Sequence, residues 1–394
     1  MERFYRTHKY LVEHVHTHVR RQLMDEIDWN DRLIGIKGSR GVGKTTFLLE
    51  YAREKFGTDR SCLYINLNHF YFTQHNIVDF AKEFCQRGGK TLIIDQVFKD
   101  PNWSKNLRDI YYSSCPDLHV IFSGSSVMRL KEENPDLVDI VKSYNLRGFS
   151  FREFLNLMAG TDFPVYSLDE ILENHVKIAE EIISKVSPLD YFQDYIHHGF
   201  YPFFLEKRNF SENLLKTMNM MIEVDILLIK QIDLKYLSKI RNLLYLIGLD
   251  APCIPNISQL STEIEISRAT VMNYIKYLKD ARLIDTLYPV GEAYPKKPSK
   301  IYLHNTNLMY VLQDKLKVDQ QALCETFFYN TLHRDNKVNI GRKSAQFTLN
   351  GTELFQICSG KLNGKNNPNF WYAMDKLNSG RDNVIPLWLF GFLY

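Results

Sequence analysis

The stretch Gly38-Ser39-Arg40-Gly41-Val42-Gly43-Lys44-Thr45-Thr46 concentrates more potential chemistry than any other part of this chain of 394 residues. It matches G-x-x-x-x-G-K-[ST], a loop whose successive backbone N–H groups converge on one anion. Glycines at 38, 41 and 43 let the backbone fold that closely, and Ser39 and Val42 lie within the loop. Lys44 would reach the β- and γ-phosphates of a nucleotide. Thr45 would place its hydroxyl on Mg²⁺, and Thr46 would cap the helix or touch the α-phosphate. The plain alternative is a Gly-rich turn ahead of a helix. The flanks argue for the nucleotide: Leu33-Ile34-Gly35-Ile36 reads as a buried strand, and Phe47, Leu48 and Tyr51 share one helical face. The helix starting near Lys44 would add its positive end.

Leu92-Ile93-Ile94-Asp95 is an apolar run ending in a carboxylate, the second half of such a site, where Asp95 would hold a water on Mg²⁺. The next residue is Gln96. ATPases of this type need a Glu there to polarise the attacking water, and an amide cannot accept the proton. A lost general base costs about 10²- to 10⁴-fold, so binding should survive while turnover falls. Ile121-Phe122-Ser123-Gly124-Ser125-Ser126 brings hydroxyls to a strand end. Ser123 and Ser125 are both candidates to sense the γ-phosphate; a turn rich in Ser and Gly is the alternative.

These residues need a scaffold, and from Arg32 to Leu146 the pattern alternates strand and helix, which implies parallel βαβ units. The expected strands are 33–37, 62–67, 91–95, 119–123 and 143–146, with helices at 44–56, 76–86 and 103–114. Residues 1–30 read as a helical lead-in carrying His8, His14, His16 and His18. His14 and His18 would share a helix face, but without a Cys or carboxylate at matching spacing a polar surface is the simpler reading than zinc.

Composition sets the class. The chain is 45% hydrophobic and 24% charged with a net charge of +3, which is globular and too weakly basic to imply nucleic acid or membrane binding without a local patch. Six cysteines, at 62, 85, 115, 253, 324 and 358, form no C-x-x-C pair, so they read as reduced thiols with no metal spacing. No apolar signal core opens the sequence, and Leu387-Trp388-Leu389-Phe390 is far short of a membrane span. A soluble, cytoplasmic protein is the expectation.

In linear order, Gly38 to Thr46, Leu92-Ile-Ile-Asp-Gln-Val-Phe-Lys-Asp-Pro-Asn-Trp103, Ser123-Gly-Ser-Ser126, Leu146-Arg-Gly-Phe-Ser-Phe-Arg-Glu-Phe154, Gly199-Phe-Tyr-Pro-Phe203 and the ending from Ile385 to Tyr394 resemble the AAA-type P-loop ATP-binding proteins of bacteria and archaea with a C-terminal winged helix and a nuclease-like tail. The resemblance spans nearly the whole chain. It implies an α/β, parallel-sheet P-loop NTPase core of five strands, with the γ-phosphate strand between the loop strand and the Asp95 strand. Three departures accompany it. Relatives carry Glu at Gln96; they carry paired arginines where this chain has Asp139 and Ile140, with only Arg129 and Arg147 as substitutes; and the nuclease-like hairpin has Asn350 and Gln356 where relatives have carboxylates, leaving Lys361.

Four domains are expected: a P-loop core over 1–160, a helical lid or connector over 161–235, a winged helix over 236–305 and a degenerate nuclease-like α/β unit over 306–394. In the second, 168–184 and 210–231 read as amphipathic helices with a turn at 195–202. In the third, Ser258 to Glu263 forms a short helix and Ser267 caps the next, whose buried stripe is Val271, Tyr274, Ile275 and Leu278. Its other face shows Arg268, Asn273, Lys276 and Lys279, candidates for DNA contact, with strands 283–288 and 300–303 as the wing. In the fourth, 345–349 and 353–358 form a hairpin turning at Asn350-Gly351.

The combined expectation is an AAA-type protein that binds Mg-ATP through Lys44, Thr45 and Asp95 and hydrolyses it weakly. Its partners would be ATP, DNA through the winged helix, and a second copy or another protein, with no membrane. The alternative is a winged-helix DNA-binding regulator or scaffold in which nucleotide is structural. A GTPase is disfavoured because no Asn-Lys-x-Asp signature occurs.

Overall fold

The computed structural model describes residues 1–394 except 18, 114, 129, 131–133, 207–208, 314–317 and 361–366. The chain forms two compact units, Met1–Gly148 and Phe149–Tyr394.

The first unit is built on five parallel strands, β1 (Leu33–Gly38), β2 (Cys62–Asn66), β3 (Thr91–Asp95), β4 (His119–Ser125) and β5 (Lys142–Asn145), in the order β2-β3-β4-β1-β5. The strand that follows β3 in sequence therefore inserts beside β1, as the resemblance implies. Leu92, Ile93 and Ile94 are all fully buried, the signature of a sheet covered on both faces. Helices α1 (Glu2–His14), α2 (Leu23–Glu26), α3 (Lys44–Phe56), α4 (Ile77–Gln86) and α5 (Trp103–Tyr111) complete the unit. The lead-in is only partly helical. Because α1 ends at His14, the shared helix face invoked for zinc lapses, and His18 lies outside the described residues.

Edge strands expose unpaired backbone groups. On β2, the Tyr64 N–H is taken by His8 Nδ1 of α1 at 3.0 Å, and His8 is buried. On the opposite edge, β5 is short, with Lys142 and Ser143 exposed. One expectation is corrected here: Cys85 in the last turn of α4 and Cys115 ahead of β4 are joined as a disulfide, with Cα atoms 6.4 Å apart. The two meet only through tertiary packing across 30 residues, a separation that no local cysteine spacing encodes.

The second unit begins with α6 (Phe151–Ala159). It continues through α7 (Leu168–Ile183), α8 (Pro188–Asp194), α9 (Phe210–Met220), α10 (Leu237–Asp250), α11 (Ile257–Ile264), α12 (Arg268–Asp280), β6 (Ile284–Leu287), β7 (Lys300–Leu303), α13 (Thr306–Leu312) and α14 (Gln320–Leu332). A five-stranded sheet of β8 (Val338–Ile340), β9 (Phe347–Leu349), β10 (Glu353–Cys358), β11 (Trp371–Met374) and β12 (Val384–Pro386) follows in the order β12-β11-β10-β9-β8. The expected turn at 195–202 is instead a π-helical turn over Tyr195–Gly199. The fully buried Asn307 amide donates to the Tyr195 and Ile196 carbonyls at 3.1 and 2.9 Å, partners that a local reading could not supply. Asn350 and Gly351 both have positive φ, 51° and 83°, and Thr352 N–H closes the turn onto the Leu349 carbonyl at 3.0 Å; because Leu349 pairs with Glu353, the hairpin loop spans 350–352. Among the described residues, no helix is long and apolar enough to cross a membrane.

Buried histidines give the fold a pH dependence. In the second unit His304 donates from Nδ1 to Asp285 Oδ2 at 2.8 Å, and its Nε2 accepts from Arg334. Burial holds His304 down to about 3, and it also lowers His8 and His175. Below the unfolded value near 6.5 the unfolded chain binds protons that the folded chain refuses, so stability falls with pH. His304 alone should cost about 2 kcal/mol at pH 5. The Asp285 carboxyl, whose pKa is lowered, contributes stability that is lost only in stronger acid, below its unfolded value of about 4. Calorimetry should show Tm falling between pH 7.5 and pH 5; a flat Tm would contradict the burial of neutral imidazoles.

Candidate nucleotide site

β1 delivers the loop to the carboxyl edge of the sheet. Gly41 and Gly43 have φ of 85° and 92°, a backbone open to glycine at little cost. At Gly38 the reason is contact: a Cβ would lie 2.5 Å from the Leu146 carbonyl oxygen. Val42 is fully buried and anchors the loop, Ser39 is buried, and Thr45 and Thr46 are exposed at the first turn of α3. Phe47, Leu48 and Tyr51 pack inward as expected.

Lys44 Nζ donates to the Gly38 and Ser39 carbonyls at 2.8 Å each. Thr45 Oγ1 donates to Asp95 Oδ2 at 2.7 Å. The two residues expected to serve a metal therefore meet across 50 positions of sequence. Asp95 is 1% exposed yet richly solvated by protein. Oδ2 also accepts from the Tyr64 hydroxyl at 2.7 Å and the Asn66 amide at 3.3 Å, and Oδ1 accepts from the Ser123 hydroxyl and from Gln96 N–H at 3.0 Å. Hydrogen bonds to a charged group contribute about 1.5–3 kcal/mol each, which is how a carboxylate can sit at a buried strand end.

Gln96 adopts a left-handed conformation, φ 58° and ψ 49°, a cost of about 1–2 kcal/mol for a residue with a Cβ. In return its N–H reaches both Asp95 Oδ1 and Ser123 Oγ, the latter at 2.9 Å. Ser123 is thus part of the Asp95 cluster. The Ser125 hydroxyl instead accepts from Val127 N–H at 3.4 Å within its own turn. Asp139 and Ile140 precede β5, whose Lys142 is level with Ile34 of β1. That level lies four residues, about 13 Å, along the strand from Gly38 at roughly 3.3 Å per residue. Arg147 follows β5 at the carboxyl edge, and Arg129 lies outside the described residues.

Three contributors were missed from the sequence: Tyr64, Asn66 and Arg21. The first two alternate along β2 toward one face, a period-two signal available once the strand is drawn. Arg21, buried, donates to the Val42 carbonyl at 3.1 Å, to Arg147 O at 2.7 Å and to Gly148 O at 3.1 Å. It braces the loop from behind, and nothing local marks it.

The magnesium expected here would take oxygen from Thr45, from Asp95 through water and from phosphate, because Mg²⁺ is seldom held by an all-protein cage. The Thr45–Asp95 contact fits that donor set. Among the described residues no cluster of three or more His, Cys, Asp or Glu side chains could hold a metal by itself.

The remaining candidates lie in the second unit. On α12, Arg268 and Asn273 are exposed, and Lys276 and Lys279 are half-buried. The Tyr294 hydroxyl donates to Asn273 Oδ1 at 2.5 Å, and Lys276 Nζ lies 4.8 Å from the Tyr294 ring centre. The β6–β7 connection thus covers part of that face. In the C-terminal sheet Asn350 serves the hairpin turn, accepting from Lys337 N–H at 3.0 Å. The nearby buried carboxylate, Glu325 of α14, accepts from Lys300 Nζ at 2.5 Å and Gln346 Nε2 at 3.0 Å. Gln356 offers no charge, and Lys361 lies outside the described residues.

Comparison with known proteins bears on the fold. Residues 30–155 match the model of the AAA domain family. The first unit has an AAA-type P-loop fold. Residues 189–322 match a domain of unknown function, DUF8612. Two uncharacterized proteins of Methanocaldococcus jannaschii are similar over most of the chain: one is 26% identical over 77% of this chain and 67% of its own length, the other 25% identical over 82% and 74%. Among solved structures, a variant of Thermotoga maritima RuvB aligns at 12% identity over 80% of this chain and 95% of that one with a TM-score of 0.29. AMPPCP-bound DnaA from Aquifex aeolicus aligns at 15% over 64% and 82% with a TM-score of 0.25. At such scores the superpositions carry no weight beside the family match and the strand order.

Proposed function

We propose that the AAA-type domain binds ATP with Mg²⁺ and hydrolyses it slowly, acting as a nucleotide-dependent switch or scaffold. The observation that supports this reading most is the meeting of Thr45 and Asp95 at 2.7 Å beside the glycine loop, with Gln96 rather than a carboxylate next in line. The loop N–H groups from Ser39 to Thr46 and the positive end of α3 would hold the phosphates. Lys44 would swing from the Gly38 and Ser39 carbonyls onto the β- and γ-phosphates. Bound magnesium would neutralise developing charge on the phosphate oxygens. Thr45 and Asp95 would orient it, and Ser123, tied to Asp95, would lie on the strand beside the loop strand. Gln96 could orient a water but not deprotonate it, so this chain provides binding without an efficient base.

The carboxylate-free hairpin and the Lys300–Glu325 contact suit a C-terminal unit that serves as structure rather than as a nuclease. The reading as a DNA-binding regulator has less behind it, because Tyr294 occupies Asn273 and Lys276 on the face that would meet phosphate. A calorimetric titration tests the main proposal. ATP should bind the full chain with an affinity that rises on adding Mg²⁺, and phosphate release should stay slow. No heat of ATP binding with or without Mg²⁺ would overturn it.

A further inference from the structure

We propose that Tyr64 is a positioning residue for the metal end of this site: its phenol fixes the Asp95 carboxylate in the orientation from which that group serves magnesium and its water. The inference rests on the Mg-ATP reading above. On β2, Tyr64 is level with Ile93 of β3, so Asp95 is its diagonal neighbour two residues along, on the same face of the sheet. Diagonal partners sit about 7–8 Å apart, within reach of an aromatic side chain but not of a serine or threonine. The Tyr64 hydroxyl spans that gap and donates to Asp95 Oδ2 at 2.7 Å.

The same oxygen also receives Thr45 Oγ1 at 2.7 Å and Asn66 Nδ2 at 3.3 Å. A carboxylate oxygen offers roughly two lone-pair directions, so three donors oversubscribe it. An ion or its water can approach only when one donor leaves. Thr45 is the donor able to go: it is exposed, it turns about a single bond, and its oxygen then faces the ion with lone pairs. Tyr64 is fixed. Its side chain lies inside the sheet face at 4% exposure, and its backbone N–H is pinned by His8 Nδ1 at 3.0 Å. With Ser123 and Gln96 N–H holding Oδ1, the phenol is the strong lasting donor that keeps the carboxylate from rotating as Thr45 departs. A second helix thereby enters the site's support, since α1 fixes Tyr64 and Tyr64 fixes Asp95.

Tyr64→Phe removes one oxygen and keeps the ring. ATP binding to the full-length variant is measured by calorimetry across a Mg²⁺ series and in EDTA, beside the parent and Asp95→Asn. The Mg²⁺ concentration that half-maximally raises ATP affinity should increase about 10- to 100-fold in Tyr64→Phe, the usual cost of losing an outer-shell partner. Affinity in EDTA should match the parent, which a general structural defect would not allow. A parental Mg²⁺ midpoint in Tyr64→Phe, with the Mg²⁺ response lost in Asp95→Asn, overturns the inference alone. An equal loss of affinity with and without Mg²⁺ in Tyr64→Phe overturns it as well. A parental midpoint in both variants also overturns the assignment of Asp95 to the metal.

Discussion

Lys44→Ala is expected to reduce ATP affinity by about 10²- to 10⁴-fold, because it deletes the side-chain cation that the loop aims at the β- and γ-phosphates. Two charge-assisted hydrogen bonds at about 1.5–3 kcal/mol each set that range. Lys44 also donates to the Gly38 and Ser39 carbonyls at 2.8 Å, contacts weaker than those in which donor and acceptor are both ionised. The variant should therefore lose binding far more than thermal stability. Calorimetric titration, with a melting curve as control, separates the two. Undiminished affinity would show that phosphate binds elsewhere and would sink the site assignment.

Gln96→Glu is expected to raise turnover only modestly, although a restored general base can be worth about 10²- to 10⁴-fold. The substitution itself should be well tolerated. The left-handed backbone at 96 already carries a side chain, and its N–H contacts to Asp95 and Ser123 are unchanged by swapping amide for carboxylate. What limits the gain is transition-state charge, since an arginine contributes about 10³- to 10⁵-fold by itself and positions 139 and 140 hold Asp and Ile. Those positions precede β5, whose Lys142 is level with Ile34 near the start of β1. About 13 Å of strand separates that end from Gly38, beyond the reach of an arginine, so the expectation is that arginines placed there act on the phosphates of a second copy. The variant Gln96→Glu with Asp139→Arg and Ile140→Arg should hydrolyse ATP faster than Gln96→Glu alone, with a specific rate that grows with protein concentration. Single-turnover phosphate release from the parent and both variants decides it. Brisk, concentration-independent hydrolysis in Gln96→Glu alone would mean an intact ATPase interrupted at one residue.

The anion loop was legible from the sequence because its requirements are local. Glycines at 38, 41 and 43 meet backbone constraints within a few residues, and Lys44 and Thr45 follow at fixed spacing. Four of the five strands were legible for the same reason, as apolar runs such as Leu92-Ile93-Ile94 are buried on both faces; β5, Lys142-Ser143-Tyr144-Asn145, has no such run. The strand order came from the resemblance rather than from residue patterns, because hydrophobic runs do not say which neighbour they pair with. The turn expected at 195–202 failed because its helical form is satisfied by Asn307, more than a hundred positions away. The expectation of reduced thiols failed on the same ground, since Cys85 and Cys115 are 30 residues apart and meet only in the packed unit.

The sequence by itself determined what a contiguous stretch can encode: a P-loop, a strand-end carboxylate followed by the amide of Gln96, and a hairpin turning at Asn350-Gly351. Only the tertiary structure decided which side chains hold that chemistry in place. Tyr64 reaches Asp95 across a strand register, Arg21 reaches Val42 and Arg147 across most of the first unit, and His8 seals an edge strand from a separate helix. Backbone geometry and hydrophobic period act over a few residues and leave their mark in the order of amino acids. A buried hydrogen bond depends on where distant elements pack, and no spacing within the chain records it.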